Sequence, residues 1–258
     1  MHNKMNILNP HTDIFSATDI GLVRENNEDY FGVAQTPNEI VCIVCDGMGG
    51  HNGGEVASRI AVGSIAKYFE TQECEDAKLA LKNAFDFANQ QIINEAKQNL
   101  NLRGMGTTAC VLLIRGNCVW IAHVGDSRIY LFEARKKRLR RLTSDHSLVQ
   151  VLVNQGIITE KMAATHPNKN QILKALGIKE DIKADISEKP ILPSQNDIFL
   201  LCTDGLCSEV SDKAIEKILA KNVTLPEKSN LLMLAAKMTG GRDNITLELV
   251  KISYSTSS

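Results

Sequence analysis

The stretch Ile40-Val41-Cys42-Ile43-Val44-Cys45-Asp46-Gly47-Met48-Gly49-Gly50-His51-Asn52-Gly53-Gly54 decides how the chain is read. Its first six residues are continuously apolar and largely β-branched, the pattern of a strand buried on both faces. The run passes directly into Asp46-Gly47 and a glycine-rich loop, after which small and apolar residues recur at helical spacing over 55–69. Cys42 and Cys45 are separated by an odd number of positions, so alternation sends them to opposite faces. They are read as core thiols rather than as a redox or zinc pair. Strand, glycine loop and helix in succession invite a nucleotide-binding reading, but the spacing fails. Asn52 stands where the dinucleotide fingerprint wants its third glycine, and no Gly-Lys-Ser/Thr follows.

Outward from that stretch, strand-like segments are predicted at 14–17 and 30–33 before it. A second helix is predicted over 75–98, with Leu81, Ala84, Ala88 and Ile92 on one face. Strands at 107–114, 118–124 and 128–132, with turns at 115–117 and 125–127, are expected to form an antiparallel meander. A short helix at 147–155 closes at Gly156, and Thr159 and Ser211 stand where N-caps would open further helices. The apolar run 197–202 ends at Asp204-Gly205, a helix follows at 226–238, and a last strand is expected at 244–252. Strands and helices do not alternate regularly, which favours an α+β fold over a doubly wound parallel sheet. No linker or repeat divides the chain, so 1–258 is read as one domain, its core about 14–253, with short flexible tails.

The 258 residues are 43% hydrophobic and 23% charged, which excludes disordered and fibrous classes. With 29 Lys and Arg against 30 Asp and Glu, the net charge of −1 offers no global field for nucleic acid or anionic lipid. The longest apolar stretch, 110–124, is broken by Arg115, Gly116 and Asn117, short of the roughly 20 residues that cross a bilayer. Seven cysteines, an odd number, and the lack of a secretory apolar region in 1–15 point to reduced thiols in a cytoplasm. The one basic run, Arg135-Lys136-Lys137-Arg138-Leu139-Arg140-Arg141, falls in a hairpin. It is read either as a solvated tip or as a docking patch for acidic phosphoproteins or another partner.

Carboxylates recur where apolar strands stop: Glu28-Asp29 before Tyr30, Asp46 after Cys45, Asp126 after Val124 and Asp204 after Cys202, with Asp243 ahead of the last strand. One such residue is an ordinary turn former. Together they would bring anions from distant parts of the chain to one edge of the core, where desolvation demands a cation. The donors are oxygens only, which suits Mg²⁺ or Mn²⁺, and a pair of such ions activates water against phosphate esters. Asp46 is the natural bridging ligand, and Gly47 leaves room for its own carbonyl to approach a metal. Arg24, a few residues before the first carboxylate pair, offers a guanidinium able to grip phosphate with two parallel hydrogen bonds.

These residues resemble the metal-dependent protein phosphatases of the PP2C or PPM family in their compact bacterial form. The matching segments are Asp19-x-Gly21-x-x-Arg24-x-Asn26-Asn27-Glu28-Asp29, Asp46-Gly47-Met48-Gly49-Gly50-His51, Gly104-Met105-Gly106-Thr107-Thr108, Val124-Gly125-Asp126-Ser127-Arg128, Leu142-Thr143-x-Asp145-His146-Ser147, His166-Pro167, Ala175-Leu176-Gly177, Thr203-Asp204-Gly205-Leu206 and Asp243-Asn244-Ile245-Thr246. The resemblance implies an αββα sandwich, two antiparallel sheets flanked by helix pairs, with metals held at one end between the sheets. It further implies that Asp46 bridges two metals, the Gly47 carbonyl binds the second, and Asp204 and Asp243 hold the first. Glu28 and Asp29 would support the second, directly or through water, and Asp126 with Asp204 would hold a weaker third. Arg24 would bind phosphate, and a metal-bridging water would attack phosphorus without a phosphoenzyme intermediate.

Where animal enzymes of the family carry a histidine two residues after the bridging aspartate, this chain has Met48. His51 and a metal-bound water are the alternatives for the leaving-group acid. Lys169, in the flap-like stretch 158–170, stands where a related pattern usually shows arginine. The implied activity is a Mn²⁺- or Mg²⁺-dependent phosphoserine/phosphothreonine protein phosphatase. It would be a cytoplasmic monomer that opposes bacterial Ser/Thr kinases and engages neither nucleic acid nor membrane. A relative acting on phosphorylated anti-sigma-factor antagonists is the alternative within the class, and a binding-only relative the alternative outside it.

Overall fold

The strand read from 40–45 is β3 (Glu39–Met48), the centre of the fold. The computed structural model describes residues 10–49, 53–163 and 165–254. In chain order the strands are β1 (Pro10–Asp19), β2 (Asp29–Gln35), β3, β4 (Gly106–Thr107), β5 (Ala109–Arg115), β6 (Cys118–Val124), β7 (Arg128–Glu133), β8 (Arg138–Arg141), β9 (Asp185–Ile186), β10 (Ile198–Cys202) and β11 (Ile245–Tyr254). The helices are α1 (Gly53–Thr71), α2 (Ala77–Gln98), α3 (Leu148–Asn154), α4 (Glu160–Ala163), α5 (Asp204–Cys207), α6 (Asp212–Leu219) and α7 (Leu225–Met238).

Two antiparallel sheets form, one ordered β1-β11-β10-β7-β8 and the other β2-β3-β5-β6-β9, with β4 beside the end of β3. Period-2 alternation divides the apolar side chains among three layers. In β3, Val41, Ile43 and Cys45 pack under α1 and α2, whereas Cys42 and Val44 face the other sheet. In β10, Ile198, Leu200 and Cys202 pack against α6 and α7, whereas Phe199 and Leu201 face inward. Both strands are buried on two faces, hence their unbroken apolar sequence. The αββα sandwich follows, with Cys42 and Cys45 in different layers.

One sequence expectation fails. Segments 107–114, 118–124 and 128–132 are not a meander: β5 pairs with β6, but β7 pairs with β8 and β10 in the opposite sheet. The reason lies at Gly125-Asp126-Ser127, which carries the chain across the sandwich. Thr108 and Ser127 join by their hydroxyls at 2.7 Å there. The 107–114 run also splits at Thr108, because β4 reaches back to pair with Gly47 and Met48. The crossing puts Asp126 between the sheets.

Candidate metal centre

Alternation aims Cys42, Val44 and then Asp46 into the space between the sheets, so the last of these ends the inter-sheet core with a carboxylate. Asp29 stands directly opposite Asp46 in the β2–β3 register, a like-charge cross-strand pair that is destabilising without a cation. From the other sheet, β10 is followed by Thr203, whose hydroxyl donates to Asp29 Oδ2 at 2.8 Å. The next residue, Asp204, brings its carboxyl close to that of Asp46. Asp126 is buried, and its Oδ1 has no partner among the described residues. Asp243 accepts from Arg24 Nη2 at 2.7 Å, and the Glu28 carboxylate lies against Gly54 in the first turn of α1.

The electrostatics record this crowding. Burial, with Asp204 and Asp243 nearby, raises Asp29 to about 7; burial, then Asp204 and Asp145, raises Asp126 to about 8. Burial and Asp243 raise Asp204 to about 6, and burial with Asp29 and Asp204 holds Asp46 well above the carboxylate range. Glu28 is also raised by burial, while the hydrogen bond to Asp243 raises Arg24. Oxygen donors only, carboxylates too close to ionise together, and a buried orphan oxygen on Asp126 together fit hard divalent cations. Gly47 suits the same purpose: a Cβ there would lie 2.1 Å from the Gly54 carbonyl oxygen and 2.5 Å from that of Glu28, so only glycine lets β3 pass between them.

Asp29, Asp46, Asp126, Asp204, Asp243, Glu28 and Arg24 thus meet at one end of the sandwich, as the sequence suggested. His51 lies outside the described residues. Sequence reading gave no role to Asn244, which fixes the geometry. Its Nδ2 donates to the carbonyls of Ile20 (3.0 Å) and Asn26 (2.9 Å), and its Oδ1 accepts from Glu28 N (2.8 Å). One side chain thereby ties the whole Arg24 loop to the strand behind Asp243. The signal was an amide directly after the last aspartate, but nothing in sequence says which backbone it will reach.

His123, His146 and Asp185 cluster nearby, and the geometry argues against a shared metal. The imidazoles are stacked, centroids 4.7 Å apart and planes 11° from parallel, so their in-plane lone pairs do not converge. His146 Nδ1 accepts from Gly125 N at 3.1 Å, which leaves the proton on Nε2, 3.1 Å from Asp185. Burial pulls both histidines below their ordinary range. The cluster holds the turn that presents Asp126. Arg128 gives that turn a second anchor, forking onto Asp145 through Nε and Nη2, the latter at 2.7 Å.

Beside Asp126 and Asp204 opens a groove of about 500 Å³, walled by the 147–170 segment with α3 and α4 on one side and by α5 and the start of α6 on the other. Glu160, Lys169, Asp212 and Lys213 are among its charged lining residues.

The chain matches the model of the family described as protein phosphatase 2C over residues 23–230. It is 39% identical over 239 residues to the serine/threonine phosphatase stp of Listeria monocytogenes, covering 91% of this chain and 93% of that protein. Among solved structures it resembles the serine/threonine phosphatase Stp1 of Staphylococcus aureus, with a TM-score of 0.88, 34% identity and coverage of 98% of this chain and 100% of that one. It also resembles the catalytic domain of the serine/threonine protein phosphatase PstP in complex with 2 manganese ions, with a TM-score of 0.83, 32% identity and coverage of 95% and 99%. With sandwich, carboxylate cluster and family match in agreement, the chain belongs to the protein phosphatase 2C family.

Proposed function

We propose that this protein is a Mn²⁺- or Mg²⁺-dependent phosphatase of phosphoserine and phosphothreonine in proteins, working on the products of Ser/Thr kinases. The observation that carries the reading is the meeting of Asp29, Asp46, Asp126, Asp204 and Asp243 from five separate segments, with the Arg24 guanidinium at their edge. Asp46 and the Gly47 carbonyl, Asp204 and Asp243, and Glu28 with Asp29 are the groups that would hold two ions, and Asp126 with Asp204 a third. When bound, such ions lower the pKa of water toward neutrality and offset the charge of a phosphate ester.

The protein's own residues do the rest. Arg24, half exposed and anchored on Asp243, presents further N–H groups able to orient a phosphate by a bidentate grip. The groove beside Asp204 takes the polypeptide around the phosphorylated residue, and its alternating charges at Glu160, Lys169, Asp212 and Lys213 suit an extended polar segment. All these groups come from one chain, which supports a monomer as the working unit. The free cysteines, with Cys42, Cys45, Cys110 and Cys202 buried, support a reducing cytoplasm. No helix among the described residues is long and apolar enough to cross a membrane.

The test is phosphate release from a phosphothreonine peptide after chelation, with Mn²⁺ and then Mg²⁺ titrated back. Saturable, metal-restored release is expected. Folded protein that binds either ion yet releases nothing would favour a binding-only relative.

A further inference from the structure

At the end of the β1–β8 sheet remote from the carboxylates lies a second groove of about 700 Å³, between the sheet and the loop joining α6 to α7. Lys228 is its least expected wall. The side chain is only 6% exposed, and Nζ donates to the carbonyls of Leu219, at 2.6 Å, and of Lys221. Those bonds cap the end of α6 but neutralise no charge, and among the described residues the ammonium has neither a carboxylate partner nor an acceptor for its third N–H. A buried cation left in this state is costly. Burial and the neighbouring Lys251 push its pKa below the ordinary lysine range.

Lys137, from the basic hairpin, Lys221 and Lys251 also line the groove, and Asp13 is the one carboxylate to offset them. Lys137, Lys221 and Lys251 take no part in the described ion pairs, whereas Lys136 and Arg140 lean on Glu133. On a chain of net charge −1, four lysines about one concavity are a local feature. The floor is apolar, built from Phe15, Phe132 and Ile198 with the exposed Val223 at its margin. A flat anionic surface would reach the rim but not that floor. We propose that this groove is a docking site for an acidic segment of a partner protein, one that carries apolar side chains among its carboxylates. Carboxylates would complete the coordination of Lys228 and satisfy the rim, and apolar side chains would fill the floor. The proposal is independent of the catalytic reading, because the groove shares no residue with the carboxylate centre.

The test is fluorescence anisotropy with a labelled peptide of repeating Glu-Glu-Phe, its Gln-Gln-Phe counterpart, a single-stranded oligonucleotide and phosphatidylglycerol vesicles. The full chain is compared with a Lys221→Glu/Lys251→Glu double variant and, separately, with Lys228→Met. Binding of the acidic peptide is expected, weakened about tenfold or more by the double variant and by Lys228→Met. Turnover of a phosphothreonine peptide should stay within about twofold of the parent in the double variant. Lys228 also caps α6, so thermal melting must show that Lys228→Met folds; the Lys221→Glu/Lys251→Glu variant decides the matter if it does not. No peptide binding, equal binding of the Gln-Gln-Phe peptide, or binding that the double variant leaves unchanged would overturn the assignment. So would oligonucleotide or vesicle binding that is tighter than peptide binding and is lost in the same variant.

Discussion

Asp46-Gly47 and Asp204-Gly205 are the same dipeptide at the end of the same kind of buried strand, one in each sheet, and the backbone treats them differently. Asp46 remains in β3, which continues to Met48 and pairs with β4. Asp204 is the first residue of α5. Strand pairing fixes Asp46 against Asp29, whereas a helical turn fixes Asp204, with Ser208 N bonded to its carbonyl at 2.7 Å. Two unlike local structures bring two carboxylates together because the sheets face each other. Convergence is therefore a property of the sandwich, and the dipeptide supplies only the chemistry.

If both aspartates serve one centre, Asp204→Asn should reduce metal-dependent phosphate release by about 10³-fold or more, equivalent to about 4 kcal/mol of barrier, with little loss of fold. Unchanged turnover would break the equivalence of the two positions. The glycines come next. A Cβ at Gly47 would sit 2.1 Å from the Gly54 carbonyl oxygen, and one at Gly205 would sit 2.0 Å from that of Asn244. Gly47→Ala and Gly205→Ala should each cost about 3 kcal/mol in denaturant unfolding. A smaller cost at Gly205 would show that a single-turn helix yields where a paired strand cannot. Asn244→Ala should act more weakly, at about 2 kcal/mol or roughly 30-fold, chiefly on kcat/KM, because it releases the Arg24 loop and the backbone of Glu28 while leaving Asp29, Asp46, Asp126, Asp204 and Asp243 in place. Equal losses for metal affinity and turnover would instead make Asn244 part of the metal cradle.

Much of this was legible in the sequence, and the exceptions have a common cause. Apolar continuity found β3 and β10, and helical spacing found α1 and α2, since each signal lies within its own segment. Thr159 and Ser211, read as N-caps, accept from Met162 N and Ala214 N through side-chain bonds that one turn of sequence already contains. The placement of β7 was misread because a three-residue turn can return to the same sheet or cross to the other, and Thr108 and Ser127, which lie far apart in sequence, decide between them. The role of Asn244 was invisible for the same reason, as its partners lie more than 200 positions away. The site's residue types could be read from the sequence, but the bonds that orient them belong to the fold.

One further carboxylate sharpens the contrast between the acids of the centre and acids merely enclosed by the sandwich. Glu248, opposite Leu201 of β10, is fully buried between the sheets; Oε1 accepts from Ser16 Oγ at 2.8 Å and Oε2 has no hydrogen-bond partner among the described residues. Burial raises it from 4.5 to about 8. The folded protein therefore binds this proton more tightly than the unfolded chain, so stability falls as pH rises between about 4.5 and 8, by up to about 1.4 kcal/mol per pH unit. Below that window both states hold the proton and no penalty applies. Glu248→Gln keeps an acceptor and a donor but carries no charge at any pH. In unfolding measured with chelator present, the variant should match the parent near pH 4.5 and gain on it steadily toward pH 8, the difference isolating Glu248 from the other raised carboxylates. Its metal-dependent turnover should be unchanged, because Glu248 lies within the core and apart from the centre. A constant stability offset across pH would show that Glu248 is already ionised in the fold, and lost turnover would place it among the working acids.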